Sequence, residues 1–324
     1  MEGNPMAHPN LDPELRAGID QFPMPPGDMS AVFADLPGAR AQINAMMAAA
    51  PAPDTRISIE NRTVPGPEGA PDLRVRVYQP EEPGENRPAL YWIHGGGMIM
   101  GMPEGDDGPM IEYVERLGVV VVSVDYRLAP EHPHPAPVED CYAGLVWTAK
   151  NAAELGIDMS RLAVGGASAG GGLAAATVLL ARDRGGPDVA FQLLVCPMLD
   201  DRNTTPSSHE FAEAVVWDRE ANLFGWTALL GDRVGTDDVP AYAAPARATD
   251  LSGLPPAFVD VGELEVFRDE CAGYALRLAQ AGVSTEFHLY PGAFHGFDML
   301  VPGAALSVRA RQAREAALRR AFGL

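Results

Sequence analysis

Residues 161–181 read RLAVGGASAGGGLAAATVLLA. Twenty of these positions in a row, 162–181, carry no charge, and that is long enough for a membrane-spanning helix. Five glycines fall inside the run, three of them adjacent at 170–172, and glycine disfavours a continuous helix. The stretch reads better as three pieces: the apolar strand RLAVGG, the helix GGLAAATVLLA, and between them Gly166-Ala167-Ser168-Ala169-Gly170. That is Gly-x-Ser-x-Gly in a strand–turn–helix setting. The glycines permit a tight turn that lifts the serine above the sheet, and the helix N-terminus behind it favours developing negative charge. A chain with 34 glycines can produce this pentapeptide by accident; the flanking strand and helix give it meaning.

Outward from this point the pattern repeats. ISIENRTV (57–64) and LRVRVYQ (73–79) alternate like half-exposed strands, while ALYWIHG, GVVVVSVD, FQLLVCP, PAFVDVG and STEFHLY read as further strands, making eight in all. Helical stretches near 107–117, 136–153, 169–184, 268–281 and 303–322 lie between or after them. Strands alternating with helices predict an α/β fold, an eight-stranded and mostly parallel sheet with helices on both faces. Two segments break the rhythm: the N-terminal stretch to about residue 50, and 200–245. An excursion of this length in a compact domain is usually functional, often a lid.

A nucleophilic serine needs an oxyanion site and a base. His94-Gly95-Gly96-Gly97 ends the strand ALYWI, and three glycines there let backbone amides point into a site as an oxyanion hole requires. Of seven histidines, the base must follow the serine on the loop after the last strand. His295, in YPGAFHGFD, is so placed; His288 lies within a strand, His209 in the excursion, and His94, His132 and His134 before the serine. The acid belongs on the loop after the seventh strand, inside DVGELEVFRDE (260–270). Asp260 is still in the strand and Asp269 and Glu270 fall in the next helix, which leaves Glu263 and Glu265.

In order and spacing, HGGGMIMG, VVSVDYRLAPEHPHPAPVEDCYAGL, GGASAGGGLAAA, LPPAFVDVGELEVFRDE and YPGAFHGFD resemble blocks of the hormone-sensitive-lipase family of α/β-hydrolases, the bacterial family IV carboxylesterases. The resemblance covers nearly the whole chain. It implies one α/β-hydrolase domain over 1–324, with a helical cap from about 1–50 and about 200–245 on a core of about 51–199 and 246–324. It implies a serine carboxylesterase that hydrolyses short-chain acyl esters through an acyl-enzyme, without metal or organic cofactor. Carried over by position, Ser168 is the nucleophile, His295 the base and acid, Glu265 the triad acid, and the amides of Gly96, Gly97 and Ala169 the oxyanion hole. Two positions depart from the family pattern: Ala167 stands where Asp or Thr is common, and Glu265-Val266-Phe267 stands where Asp-Pro-Leu is usual. The amidase-type and lipase-type serine hydrolases are rival enzymes of the same fold. A non-catalytic ligand-binding receptor is a rival of another class, disfavoured because His295 is present.

Met98, Met100 and Met102 beside the oxyanion loop, and Trp217, Phe224 and Trp226 in the second cap segment, are candidates for pocket wall or cap core; Met98 and Trp217 are taken as wall. His94 is expected to orient the glycine loop, and Asp125, Arg127, Glu131, Glu139 and Asp140 to be structural. A formal charge of −20 argues against nucleic acid or an anionic membrane as partner. Three cysteines, Cys141, Cys196 and Cys271, fit neither a disulfide framework nor a metal site. MEGNPMAHPN lacks a basic start followed by an apolar run, which leads us to expect a cytoplasmic protein. The expected partners are a small acyl ester and, as a homodimer, a second copy of the chain.

Overall fold

The computed structural model describes residues 8–21, 29–49, 54–82 and 84–324. All eight runs become strands: β1 (Ile57–Val64), β2 (Leu73–Pro80), β3 (Arg87–Ile93), β4 (Val120–Asp125), β5 (Ile157–Ala167), β6 (Phe191–Val195), β7 (Ala257–Leu264) and β8 (Thr285–Phe294). They form one sheet in the order β1-β2-β4-β3-β5-β6-β7-β8. β2 is antiparallel to both its neighbours, and every pairing from β4 to β8 is parallel. β3, β4 and β6 are buried along almost their whole length because helices cover both faces, whereas the edge strand β1 alternates towards solvent.

The helices are α1 (Pro13–Ile19), α2 (Ser30–Ala34), α3 (Leu36–Ala49), α4 (Asp107–Leu117), α5 (Ala136–Lys150), α6 (Ala152–Leu155), α7 (Ala169–Arg184), α8 (Pro206–Glu210), α9 (Arg219–Leu230), α10 (Arg268–Gln280), α11 (Phe297–Leu300) and α12 (Ala305–Phe322). The helix expected over 136–153 divides at Asn151, whose backbone leaves helical geometry (ψ 15°) while its side chain donates to Trp147 O. The uncharged run 162–181 is strand and helix, and among the described residues no helix is long and apolar enough to cross a membrane.

The irregular segments contribute most of the remaining helices. α1 is capped by Asp12, which accepts from Glu14 N and Leu15 N, and Asp12 N in turn donates to Gly292 O in β8. Phe33 of α2 stacks on Phe224 of α9 at 4.2 Å, so the two segments that broke the βα rhythm touch each other. The charged residues of 125–140 are engaged in ion pairs: Asp125 with Arg74, Arg127 with Asp140, Glu131 with Arg40 and Glu139 with Arg184.

Candidate active site

The carboxyl ends of β5, β7 and β8 meet at one place, the rim where open α/β sheets bind ligands. Ser168 occupies the turn between β5 and α7 with φ 57° and ψ −121°. A non-glycine residue held there stores roughly 1–3 kcal/mol of backbone strain, and the surroundings hold it: Ser168 N donates to Val195 O at 2.8 Å, and Ser168 O accepts from Gly172 N and Met198 N. The turn also needs Gly170, because a Cβ there would lie 2.0 Å from Ile93 O of β3. The Ser168 hydroxyl donates to His295 Nε2 at 3.0 Å. His295 Nδ1–H donates to a Glu265 carboxylate oxygen at 2.5 Å.

β8 runs through Phe294 and delivers His295 directly from its end, where Phe267 meets the imidazole edge-on at 5.2 Å. β7 runs through Leu264, two residues beyond the end read at Gly262, so Glu265 is the first residue after it. The second Glu265 oxygen accepts from Gly262 N at 2.7 Å, and the side chain is buried. Glu263, the other carboxylate that the sequence left open, faces the other way: its oxygens accept from Gly292 N at 2.7 Å and Asn10 Nδ2 at 3.3 Å, so it is a structural tie.

On the opposite side lies the glycine loop. Gly96 and Gly97 have φ 116° and 62°, and among the described residues neither amide donates to a protein acceptor. Ala169 opens α7, so its amide is one of the helix's unpaired donors. His94 is buried, stacks on Tyr126 at 4.3 Å and lies 2.8 Å from Gly95 O through Nδ1, the contact expected of a loop-orienting residue. Burial lowers its pKa, and a neutral ring with its proton on Nδ1 is the form that donates to that carbonyl.

Ser168, His295 and the glycine loop line one cavity of about 600 Å³. Met29, Ile43 and Met47 wall it from the N-terminal segment, and Val216 and Trp217 from the second segment. Trp217 packs so closely on the loop that a Cβ on Gly97 would stand 2.2 Å from Cη2. The expectation for Met98 is corrected. Its side chain is fully buried and lies outside the lining, because the chain turns at Met98 (φ 63°) and commits it to the core, while Met100 and Met102 face the cavity. Phe224 and Trp226 likewise line no part of it, one stacked on Phe33 and the other buried.

The sequence reading missed three walls from the N-terminal segment, Cys196, and Asp106 of the residues just before α4. The apolar spacing of Met29, Ile43 and Met47 was the only signal for the first group. Cys196, with φ 36°, sits beside Glu265 and His295, and the ligating atoms of these three lie within 4.8 Å of one another. The imidazole–carboxylate bond already occupies two of them, and burial pushes the thiol pKa up.

A serine–imidazole–carboxylate chain on this sheet, with the imidazole and the carboxylate buried, is the arrangement of a serine hydrolase. Residues 90–299 match the family described as alpha/beta hydrolase fold, and the chain belongs to that family, as a member of the hormone-sensitive-lipase type. It is 41% identical over 308 residues to the carboxylesterase NlhH of Mycobacterium tuberculosis, covering 93% of each chain. It is 37% identical over 243 residues to esterase LipI of the same organism, covering 74% of this chain and 75% of the relative. Among solved structures it resembles a bacterial heroin esterase, with TM-score 0.90 and 46% identity over 97% of this chain and 98% of that one. The chain is a serine-type carboxylic ester hydrolase.

Proposed function

We propose that the enzyme hydrolyses short-chain acyl esters with Ser168 as nucleophile, His295 as general base and acid, Glu265 as the orienting carboxylate, and the amides of Gly96, Gly97 and Ala169 as the oxyanion hole. The observation that carries this reading is the unbroken hydrogen-bond chain from Ser168 Oγ through His295 to Glu265, facing the unpaired amides of the glycine loop. His295 takes the serine proton as Oγ attacks the ester carbonyl, the amides hold the oxyanion, and the imidazolium returns its proton to the leaving alcohol. Water then repeats the sequence on the acyl-enzyme. Glu265 stabilises the imidazolium and holds the tautomer that leaves Nε2 free to accept.

The cap is taken as about 1–50 and about 200–245 on a core of about 51–199 and 246–324, supported by the Phe33–Phe224 stack and by the lining residues that both segments supply. A cavity of about 600 Å³ suits small ligands, and we place the acyl range at roughly C2 to C8. Three buried free thiols fit a reducing compartment and therefore the cytoplasm. A homodimer is supported by β8, an edge strand that exposes Phe287 and Leu289; sedimentation of the purified chain as a monomer at micromolar concentration would refute that part.

The test of the site is Ser168→Ala. Turnover of p-nitrophenyl butyrate should fall about a millionfold with the fold intact, and an organophosphate should label Ser168 in the parent enzyme. A label elsewhere, or an Ala variant that keeps its turnover, sinks the assignment. Faster hydrolysis of C12 to C16 than of C4 esters would refute the acyl range.

A further inference from the structure

One end of the cavity runs between α4 and α12, where Tyr113, Arg311 and Glu315 line it together with Trp92, Asp106 and Asp298. Asp106 is 6% exposed. One of its oxygens accepts from Trp92 Nε1 at 2.7 Å, and the other has no hydrogen-bond partner among the described residues. It stands at the N-cap of α4, yet its side chain caps no helix amide. No cation of the wall answers it. Arg314, itself buried, is committed to Asp260 and Asp298; Arg116 pairs with Glu315; Arg311 donates to the carbonyls of Asp298 and Pro302.

Burying a carboxylate is costly unless something compensates it. An asparagine would serve Trp92 Nε1 equally well, so that bond does not account for the charge. What remains is the ligand: an unpartnered oxygen facing the substrate cavity, in a wall whose arginines are all engaged and whose Glu112 has no cation partner among the described residues, favours a cation that can donate a hydrogen bond.

We propose that Asp106 is a specificity residue that receives a protonated amine carried by the ester substrate. The proposal rests on the esterase reading and extends it to a substrate class, amino-functionalised small esters. The amine would replace the missing protein cation and donate to the free Asp106 oxygen, while the ester carbonyl lies at Ser168.

Two matched pairs test it, each exchanging a protonated nitrogen for a carbon of the same shape. On the alcohol side, 2-(dimethylamino)ethyl butyrate is compared with 3-methylbutyl butyrate; on the acyl side, methyl 4-(dimethylamino)butanoate with methyl 5-methylhexanoate. In each pair kcat/KM is measured at pH 7 for the parent enzyme and for Asp106→Asn, with thermal unfolding reporting that the variant is folded. The variant's own ratio measures the intrinsic difference in reactivity between the two esters. In at least one pair the amine-to-isostere ratio should fall roughly ten- to hundredfold from parent to variant, the weight of one charge-assisted hydrogen bond, and the change should lie in KM more than in kcat. A ratio unchanged by Asp106→Asn in both pairs overturns the proposal. An enzyme that hydrolyses the neutral esters but has no such ratio change refutes the amine subsite alone, whereas one that hydrolyses none of the four overturns the esterase reading and the subsite with it.

Discussion

Replacing Glu265 by glutamine is a sharp perturbation because the structure dictates how the new amide must sit. One carboxylate oxygen accepts from Gly262 N at 2.7 Å and the other from His295 Nδ1 at 2.5 Å. A glutamine has one acceptor and one donor group to offer these two places. With its oxygen towards His295, its NH₂ would confront the Gly262 N–H, donor against donor, in a buried position where an unmade bond costs about 1–3 kcal/mol. The opposite orientation satisfies both contacts: the oxygen accepts from Gly262 and the NH₂ donates to Nδ1. Nδ1 must then be an acceptor, which puts the ring proton on Nε2, facing the Ser168 hydroxyl it should deprotonate. The favoured variant is therefore well packed and holds the inert tautomer. We expect kcat to fall by up to about ten-thousandfold, about 5 kcal/mol of transition-state stabilisation, with little change in thermal stability. Glu263→Gln keeps an acceptor for Gly292 N or Asn10 and touches no histidine, so less than a tenfold change is expected. Steady-state kinetics on p-nitrophenyl butyrate, with unfolding curves for both variants, decide it. A Glu265→Gln enzyme within tenfold of the parent would refute the reasoning, as would a Glu263→Gln enzyme damaged to the same extent.

Two further outcomes follow from the same geometry. Gly97→Ala places a Cβ 2.2 Å from Trp217 Cη2 at a residue with φ 62°, so the loop must move and kcat should drop about a hundredfold or more; a loss below threefold would mean that the Gly97 amide holds no oxyanion. Asp106 has its pKa raised by burial to about 6 from an ordinary value of 3.8, so its stability contribution is fully present below pH 4 and is lost as pH rises through 6. Asp106→Asn, neutral throughout, should therefore gain on the order of 3 kcal/mol relative to the parent between pH 4 and pH 8, read from urea unfolding at both pH values; an equal stability difference at the two would contradict the buried-charge account.

The sheet was legible in the sequence because the central strands are compact apolar runs and the outer β1 and β2 alternate with period two, and because the helices 107–117 and 169–184 carry their boundaries locally, in Gly118 and Gly185 at positive φ behind their last turns. The serine and histidine were legible through chain order, a one-dimensional property. The cavity walls were legible only in part: Trp217 lines the cavity and Met98 does not. Met98, Met100 and Met102 look alike in sequence, and only the turn at Met98 sends its side chain into the core while the other two face the site. Met29 and Ile43 line the cavity of Ser168 from a segment without βα rhythm, and Asp106 lines it from the residue before α4. Contacts between distant, irregular segments leave no period to read.

The five carboxylates of 260–270 show why position alone could not separate the acid from its neighbours. Each is held by a different donor. Asp260 pairs with the buried Arg314 at 2.6 Å. Glu263 ties Gly292 N to Asn10, joining β8 to the segment before α1. Asp269 accepts from Ser207 N at 2.6 Å, and with the Ser207 Oγ bond to Val266 O and the Arg268–Glu210 ion pair it clamps α8 onto the turn that carries the acid. Glu270, its pKa raised by burial, accepts from Leu199 N at the start of the same excursion. Only Glu265 meets an imidazole. The acidic stretch is therefore a junction: one carboxylate faces the histidine, and its neighbours hold in place the strand, the helix and the root of the second segment that fix where that histidine and its acid can meet. A conservative amide at any of the other four positions still offers an oxygen to an N–H donor, whereas at Glu265 it removes the tautomer.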